Sequence, residues 1–182
     1  MNNQEEPRKI SILGSTGSIG SDTISVLQST SNTYRVRAIT AHESVELLAQ
    51  QAHVLKPEFV VIGNKEKYRE LKRLLSGTKS KLGAGVEAVL EAASLKTDWT
   101  MAAIVGAVGL KPALTSIGHG GIVALANKES LVCAGKLFQK EVANSDCIVL
   151  PVDSEHSAIF QCLIGSKKDE IEIPLRTTPA LA

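Results

Sequence analysis

The stretch Gly14-Ser15-Thr16-Gly17-Ser18-Ile19-Gly20 follows the apolar run Ile10 to Leu13 and leads into a helix predicted over Asp22 to Gln28. Strand, glycine turn and helix in that order are what a phosphate-binding turn requires. Gly14 permits a tight exit from the strand, and Gly17 lets the backbone approach a pyrophosphate. Gly20 lets the helix pack on the strand, and the free N–H groups of the helix start face the anion. The spacing is G-x-x-G-x-x-G rather than the commoner G-x-G-x-x-G. A glycine-rich stretch alone serves equally as a plain turn; the flanking strand and helix are what point to a nucleotide.

The rest of the chain repeats this alternation. Strands are predicted at Lys9 to Leu13, Tyr34 to Thr40, Phe59 to Ile62, Thr100 to Val105, Ile122 to Ala126 and Cys147 to Val152. Between them lie helices at Val45 to Leu55, with Ser44 as N-cap, at Lys65 to Leu75, within Gly83 to Ala93 after an opening loop, from Pro112 to Ile117, and at Ser130 to Ala143. Short, continuous apolar strands alternating with helices imply βαβ units and a parallel sheet covered on both faces. The fold class is therefore α/β, a doubly wound parallel sheet. Residues 1–8 read as a disordered lead-in.

Composition excludes several classes. The 182 residues carry a formal net charge of +1 with basic and acidic side chains interleaved, which argues against a nucleic-acid footprint. The longest uncharged apolar run, Met101 to Leu110, falls well short of the roughly 20 residues that span a bilayer. Met1 to Lys9 has no apolar core of a secretory signal. Cys133, Cys147 and Cys162 show no C-x-x-C spacing and read as buried reduced thiols rather than metal ligands or disulfides. A cytoplasmic location is expected.

Ligands of such sheets bind beyond the carboxyl ends of the strands. After the second strand come Ala41, His42, Glu43 and Ser44. An acidic residue about 20 positions past the glycines accepts a ribose 2′-hydroxyl and favours NAD over NADP; Glu43 is near that place, although a surface carboxylate at a helix start accounts for it too. After the fifth strand come Asn127, Lys128, Glu129 and Ser130, groups that suit a cofactor and an anionic substrate, or equally a capped helix start. After the last come Asp153, Ser154, Glu155 and His156. On an extended chain Asp153 and Glu155 point the same way and can converge on a hard cation; a solvated acidic loop is the competing reading. His156 suits capping better than ligation.

Taken together, GSTGSIG, AIVGAVGLKPAL with LANKESLV, and LPVDSEHSAIFQCL resemble the 1-deoxy-D-xylulose 5-phosphate reductoisomerase family over residues 9–166. The resemblance implies a Rossmann-like dinucleotide-binding domain over 9–152 and the start of a catalytic, metal-binding domain over 153–182. It implies NADPH and Mg²⁺ or Mn²⁺ as cofactors, a sugar phosphate substrate and a homodimer. By carry-over, Thr16, Gly17, Ser18, Ile19 and Ser44 hold the coenzyme, and Asn127 and Glu129 lie against its nicotinamide half. Lys128, Ser154 and Glu155 meet substrate, with Lys128 and Glu155 catalytic, and Asp153 and Glu155 ligate the metal.

Two departures stand out. His42, Glu43 and Ser44 replace the family's usual glycine, basic residue and asparagine, so a 2′-phosphate is repelled unless His42 or Arg37 compensates. Beyond Asp169 the sequence turns to IEIPLRTTPALA, where Pro174 and Pro179 forbid a central strand and no family motif follows. That tail reads as a premature ending, a frameshift product or a fragment, not a redesigned domain. Three expectations follow: a working enzyme or part of one, a coenzyme-binding module without turnover, or a truncated product that self-associates.

Overall fold

Strands whose residues are apolar on both sides must be covered on both sides, and this requirement sets the architecture. The computed structural model describes residues 6–30 and 34–163. Seven strands, β1 (Arg8–Leu13), β2 (Tyr34–Ala41), β3 (Phe59–Ile62), β4 (Lys81–Ala84), β5 (Trp99–Ala102), β6 (Ile122–Leu125) and β7 (Ile148–Pro151), form one sheet in the order β4-β3-β2-β1-β5-β6-β7. Every pairing is parallel. The chain winds outward from β1 to β4, crosses back, and winds outward again from β5 to β7. The fold class is doubly wound α/β, as the sequence predicts.

The helices are α1 (Ser18–Ser29), α2 (Val45–Leu55), α3 (Tyr68–Leu74, entered through a 3-10 turn at Lys65–Lys67), α4 (Gly85–Ala93), α5 (Leu110–Ile117), α6 (Lys128–Ala143) and α7 (Ser154–Leu163). On one face Ile10, Ile12, Ile39, Val60 and Ile62 pack against Ile24 of α1, Leu48 of α2 and Leu71 of α3. On the other, Leu13, Ala38, Phe59 and Val61 pack against Ala92 and Ala93 of α4. Further along that face, Ala102, Val123 and Leu125 pack against Ile117 of α5 and Phe138 of α6. Beyond α1, the described residues leave an apolar cleft of about 740 Å³ on the first face, lined by Arg8 and Asp98, by Ile19 and Val152, and by Trp99, Met101 and Ile122 of the sheet.

Several sequence expectations need correction. The loop expected to open at Gly83 is strand β4, paired with β3 from Phe59↔Lys81 to Ile62↔Ala84. A Cβ on Gly83 would stand 2.9 Å from the Phe59 ring, so glycine here admits the aromatic side chain of the neighbouring strand. Helix α6 begins at Lys128 rather than Ser130 and is broken by non-helical angles at Ala134. Of the three cysteines Cys147 is buried, whereas Cys133 and Cys162 are exposed, because both lie on outward-facing parts of helices rather than on the sheet. Arg8 belongs to β1, so the expected lead-in is shorter than residues 1–8; residues 1–5, and the tail after Leu163 with Pro174 and Pro179, lie outside the described residues.

Candidate functional site

The winding reverses between β1 and β5, so the loops leaving these two strands diverge to opposite faces and leave a crevice at their carboxyl ends. Gly14 lies at its base. Its φ is +88°, a left-handed conformation that favours glycine, and a Cβ on it would stand 2.6 Å from the Ala103 carbonyl oxygen and 2.9 Å from Ile104 N. The two loops touch backbone to backbone. The Gly14 N–H donates to both the carbonyl oxygen (3.1 Å) and Oγ1 (3.0 Å) of Thr40, and the Ser15 N–H to the same carbonyl at 2.8 Å. A Cβ on Gly20 would stand 2.3 Å from the Gly14 oxygen, so the helix rests directly on the turn.

A pair absent from the sequence reading pins this turn from behind. Ser15 Oγ donates to Gln51 Oε1 at 2.7 Å, and Gln51 Nε2 donates back to the Ser15 carbonyl at 2.9 Å. Both residues are buried. The available signal was Gln51 itself, a polar residue on the apolar face of α2 between Leu48 and Ala52, where burial demands a partner.

Gly17 differs from its neighbours. Its φ is −74°, open to any residue, and a Cβ would meet nothing closer than the Gly14 oxygen at 3.5 Å. The fold does not require glycine here, and the bare backbone leaves room for a close approach from outside. Gly17 is the N-cap of α1, and the N–H groups of Ser18, Ile19 and Gly20 have no intrahelical acceptors. No acidic residue occupies the first turn, which preserves the positive end of the helix dipole for an anion. Ser18 and Gly17 are exposed and Thr16 half-buried. The Ile19 side chain packs on the core, so this residue has its backbone N–H to offer.

At the end of β2, His42, Glu43 and Ser44 are exposed. Ser44 is the N-cap of α2 through its carbonyl, which accepts from Leu48 N at 3.0 Å; its hydroxyl makes no capping bond. Glu43 accepts from Asn64 Nδ2 at 3.0 Å on each oxygen. His42 Nε2 lies 3.4 Å from Glu43 Oε1. Arg37 does not reach this edge: it is the bulged residue of β2, and its Nε lies 3.1 Å from Glu58 Oε2. Lys65, beyond Asn64, turns the other way. A Cβ on Gly85 would collide with its chain, and its Nζ is 3.4 Å from Glu87. The Glu87 backbone N–H, and then Lys65, hold the Glu87 carboxyl below the usual carboxylate range.

After β6, Asn127 is buried, and its Nδ2 donates to the carbonyls of Ile104 at 2.6 Å and Gly106 at 2.8 Å. It thereby fixes the loop that leaves β5 against the loop that leaves β6. Lys128, exposed, and Glu129, half-buried, occupy the first turn of α6.

After β7, Asp153 is half-buried and its carbonyl accepts the Ser157 N–H at 2.9 Å, the first bond of α7. Ser154 and Glu155 therefore lie in a helical turn, not on the extended chain expected, because Asp is favoured before a helix and the segment that follows is helical. Asp153 precedes the helix and Glu155 belongs to its first turn. Carboxylates suit a hard divalent cation, but among the described residues no group of three His, Cys, Asp or Glu side chains gathers as a metal cage. At about 4.8 Å per strand, the loops after β2, β1, β5, β6 and β7 line one sheet edge roughly 19 Å long.

Known proteins place this arrangement. The family profile of 1-deoxy-D-xylulose 5-phosphate reductoisomerase matches residues 10–135. The reductoisomerase of Bradyrhizobium diazoefficiens is 48% identical over 164 residues, which cover 90% of this chain and 40% of that protein. The Zymomonas mobilis enzyme in complex with NADPH superposes with a TM-score of 0.84 at 46% identity, covering 86% of this chain and 41% of that one. A DOX-P reductoisomerase in complex with NADPH, fosmidomycin and magnesium superposes at 0.81 with 38% identity, covering 85% and 38%. The chain thus spans about 40% of the length of the relatives it matches, and over that span it belongs to the 1-deoxy-D-xylulose 5-phosphate reductoisomerase family.

Proposed function

We propose that this chain serves the NADPH-dependent rearrangement and reduction of 1-deoxy-D-xylulose 5-phosphate to 2-C-methyl-D-erythritol 4-phosphate, a step of non-mevalonate isoprenoid biosynthesis. The observation that carries this is the glycine turn at the β1–β5 crevice, whose Gly17 is bare although the fold does not demand it. The Ser18, Ile19 and Gly20 N–H groups and the Thr16 and Ser18 hydroxyls bind the coenzyme pyrophosphate. The Ser44 hydroxyl receives the adenosine end. Asn127 and Glu129 border the nicotinamide end, Asn127 by holding the loop at Ile104 and Gly106.

The Lys128 ammonium and the Ser154 hydroxyl orient the anionic sugar phosphate, and Asp153 and Glu155 hold Mg²⁺ or Mn²⁺, with water and substrate oxygens as further ligands. When bound, the coenzyme supplies hydride and the cation supplies Lewis-acid polarisation of a carbonyl oxygen. Residues 9–152 are read as the coenzyme domain and 153–182 as the beginning of the catalytic one. The setting is cytoplasmic and the assembly a homodimer. Among the described residues no helix is long and apolar enough to cross a membrane.

A second reading is a coenzyme-binding module without turnover; the chain spans about 40% of the length of the relatives it matches. Reduced-nicotinamide absorbance with chain, substrate, Mn²⁺ and NADPH separates the two, alongside a fluorescence titration with NADPH alone. Oxidation that needs both metal and substrate supports the enzyme. Binding without oxidation supports the module, and a folded chain that does not bind NADPH overturns both.

A further inference from the structure

Both faces of a parallel sheet are apolar, and each needs a cover. Among the described residues the cover of the first face stops at α1. Parallel register sets Ile10, Trp99, Ile122 and Ile148 in one row across β1, β5, β6 and β7, and Ile12, Met101, Ala124 and Leu150 in the next. Ile10 and Ile12 are sealed in the core, whereas Trp99, Met101 and Ile122 line the apolar cleft and Ile148 at the sheet edge is 58% exposed. At about 4.8 Å per strand, β5 to β7 span roughly 10 Å, the width of one helix.

The wall of this cleft is α1. Its Ile19, Asp22, Thr23 and Val26, three and four residues apart, share one side of the helix and line the cleft, yet Val26 is 60% exposed. A protruding apolar side chain therefore stands beside an apolar hollow on the same face. The rim charges are paired off in the same way. Arg8 and Asp22 both line the cleft and are exposed, and neither has an ion-pair partner among the described residues. Asp98 differs, since it accepts the Lys9 N–H at 2.7 Å.

From this arrangement we propose that the face is covered by a second copy of this chain, whose α1 lies in the cleft beside the first. A two-fold axis makes such a contact reciprocal. Val26 of each copy enters the hollow over Trp99, Met101 and Ile122 of the other, and Arg8 of each faces Asp22 of the other. Knob, hollow and opposite charges all sit on one face of one chain, which is what an isologous contact requires. The inference does not use the coenzyme reading.

Sedimentation of the full chain from about 1 to 200 µM, with tryptophan emission over the same range, tests this. Trp99 is the one tryptophan of the sequence, and its place in the cleft makes its emission a report of what covers that face. Mass should double and emission should move to shorter wavelength over the same concentrations. V26E should weaken pairing at least about tenfold. R8E and D22R should each weaken it several-fold, and the double variant R8E/D22R should recover most of that loss, because the swapped charges meet again across the axis. All three positions are exposed, so the variants should unfold close to the midpoint of the parent. A chain that stays monomeric, or charge reversals whose losses simply add, overturns the inference. A dimer that V26E leaves as tight as the parent pairs through another face, which overturns this inference and leaves the homodimer reading standing. Emission that ignores concentration but shifts in Ile171→Asp/Ile173→Asp assigns the cleft to the chain's own tail and overturns it as well.

Discussion

Replacing Gly17 by alanine should separate what the fold needs from what the ligand needs. At Gly17 φ is −74° and the new methyl would lie 3.5 Å from the Gly14 oxygen, an ordinary contact. Alanine at an N-cap costs about 0.5–1 kcal/mol relative to glycine, and the loss of glycine's freedom in the unfolded chain returns about 0.4–1 kcal/mol. Stability should therefore change by less than about 1 kcal/mol, or about 2–4 °C in Tm for a chain of this size. The same change at Gly20 places a methyl 2.3 Å from the Gly14 oxygen, where backbone must move, and should cost about 3 kcal/mol or more. At Gly14 the left-handed φ of +88° adds to a 2.6 Å clash with Ala103, with a similar or larger loss.

For the coenzyme the ranking changes. A methyl on Gly17 occupies space that a phosphate oxygen needs to reach the helix N–H groups, and should weaken NADPH at least about tenfold, about 1.4 kcal/mol. Thermal unfolding and nicotinamide fluorescence on the three variants supply both numbers. If G17A unfolds as readily as G20A, its glycine is structural and the reasoning fails. If G17A stays folded and binds NADPH as the parent does, the phosphates do not approach at this turn.

Three further outcomes can be measured. Gln51→Leu should lower stability by about 1–3 kcal/mol in urea unfolding, because it removes the amide partner of the buried Ser15 hydroxyl and leaves the Ser15 carbonyl with the longer Ser21 hydroxyl bond of 3.5 Å. Asn127→Ala should strip donors from the Ile104 and Gly106 carbonyls, cost about 1–3 kcal/mol, and raise amide exchange in residues 103–109 more than in the glycine turn. Burial pushes the Cys147 thiol above its ordinary range. Because the folded chain holds that proton more tightly than the unfolded one, the contribution is fully present below the unfolded thiol's pKa and is lost as pH rises through the folded value. At pH 8 a thiol reagent should therefore label Cys133 and Cys162 and spare Cys147 until the chain unfolds.

Much of the sheet was legible because β3, β5 and β6 are short, largely apolar runs bounded by turns, β2 alternates in polarity, and the candidate residues follow strand ends directly. Strand β4 was not legible: Lys-Leu-Gly-Ala at a sheet edge offers one large apolar residue and a glycine, and its pairing is set by β3. The start of α7 was misread because Asp153 to His156 is polar and its helical period emerges further on. The Ser15–Gln51 bond joins residues 36 positions apart, a distance across which local patterns carry no information. Arg37 shows the same limit, since its removal from the ligand edge depends on a bulge and on Glu58, just before β3.

The backbone contact between Gly14 and Ala103 bears on how the edge moves. With no side chain between them and Asn127 bracing the far side of the same loop, the turns after β1, β5 and β6 share one rigid-body coordinate. The segment at His42 to Ser44 hangs from β2 and is tied laterally to Asn64. Because Gly14 and Ser15 also bond to Thr40 of β2 and Ser15 to Gln51 of α2, thermal displacement along the crevice should be correlated among all four turns. Geometry at the β5–β6 end of the crevice would then respond to whatever is held at the β2 end.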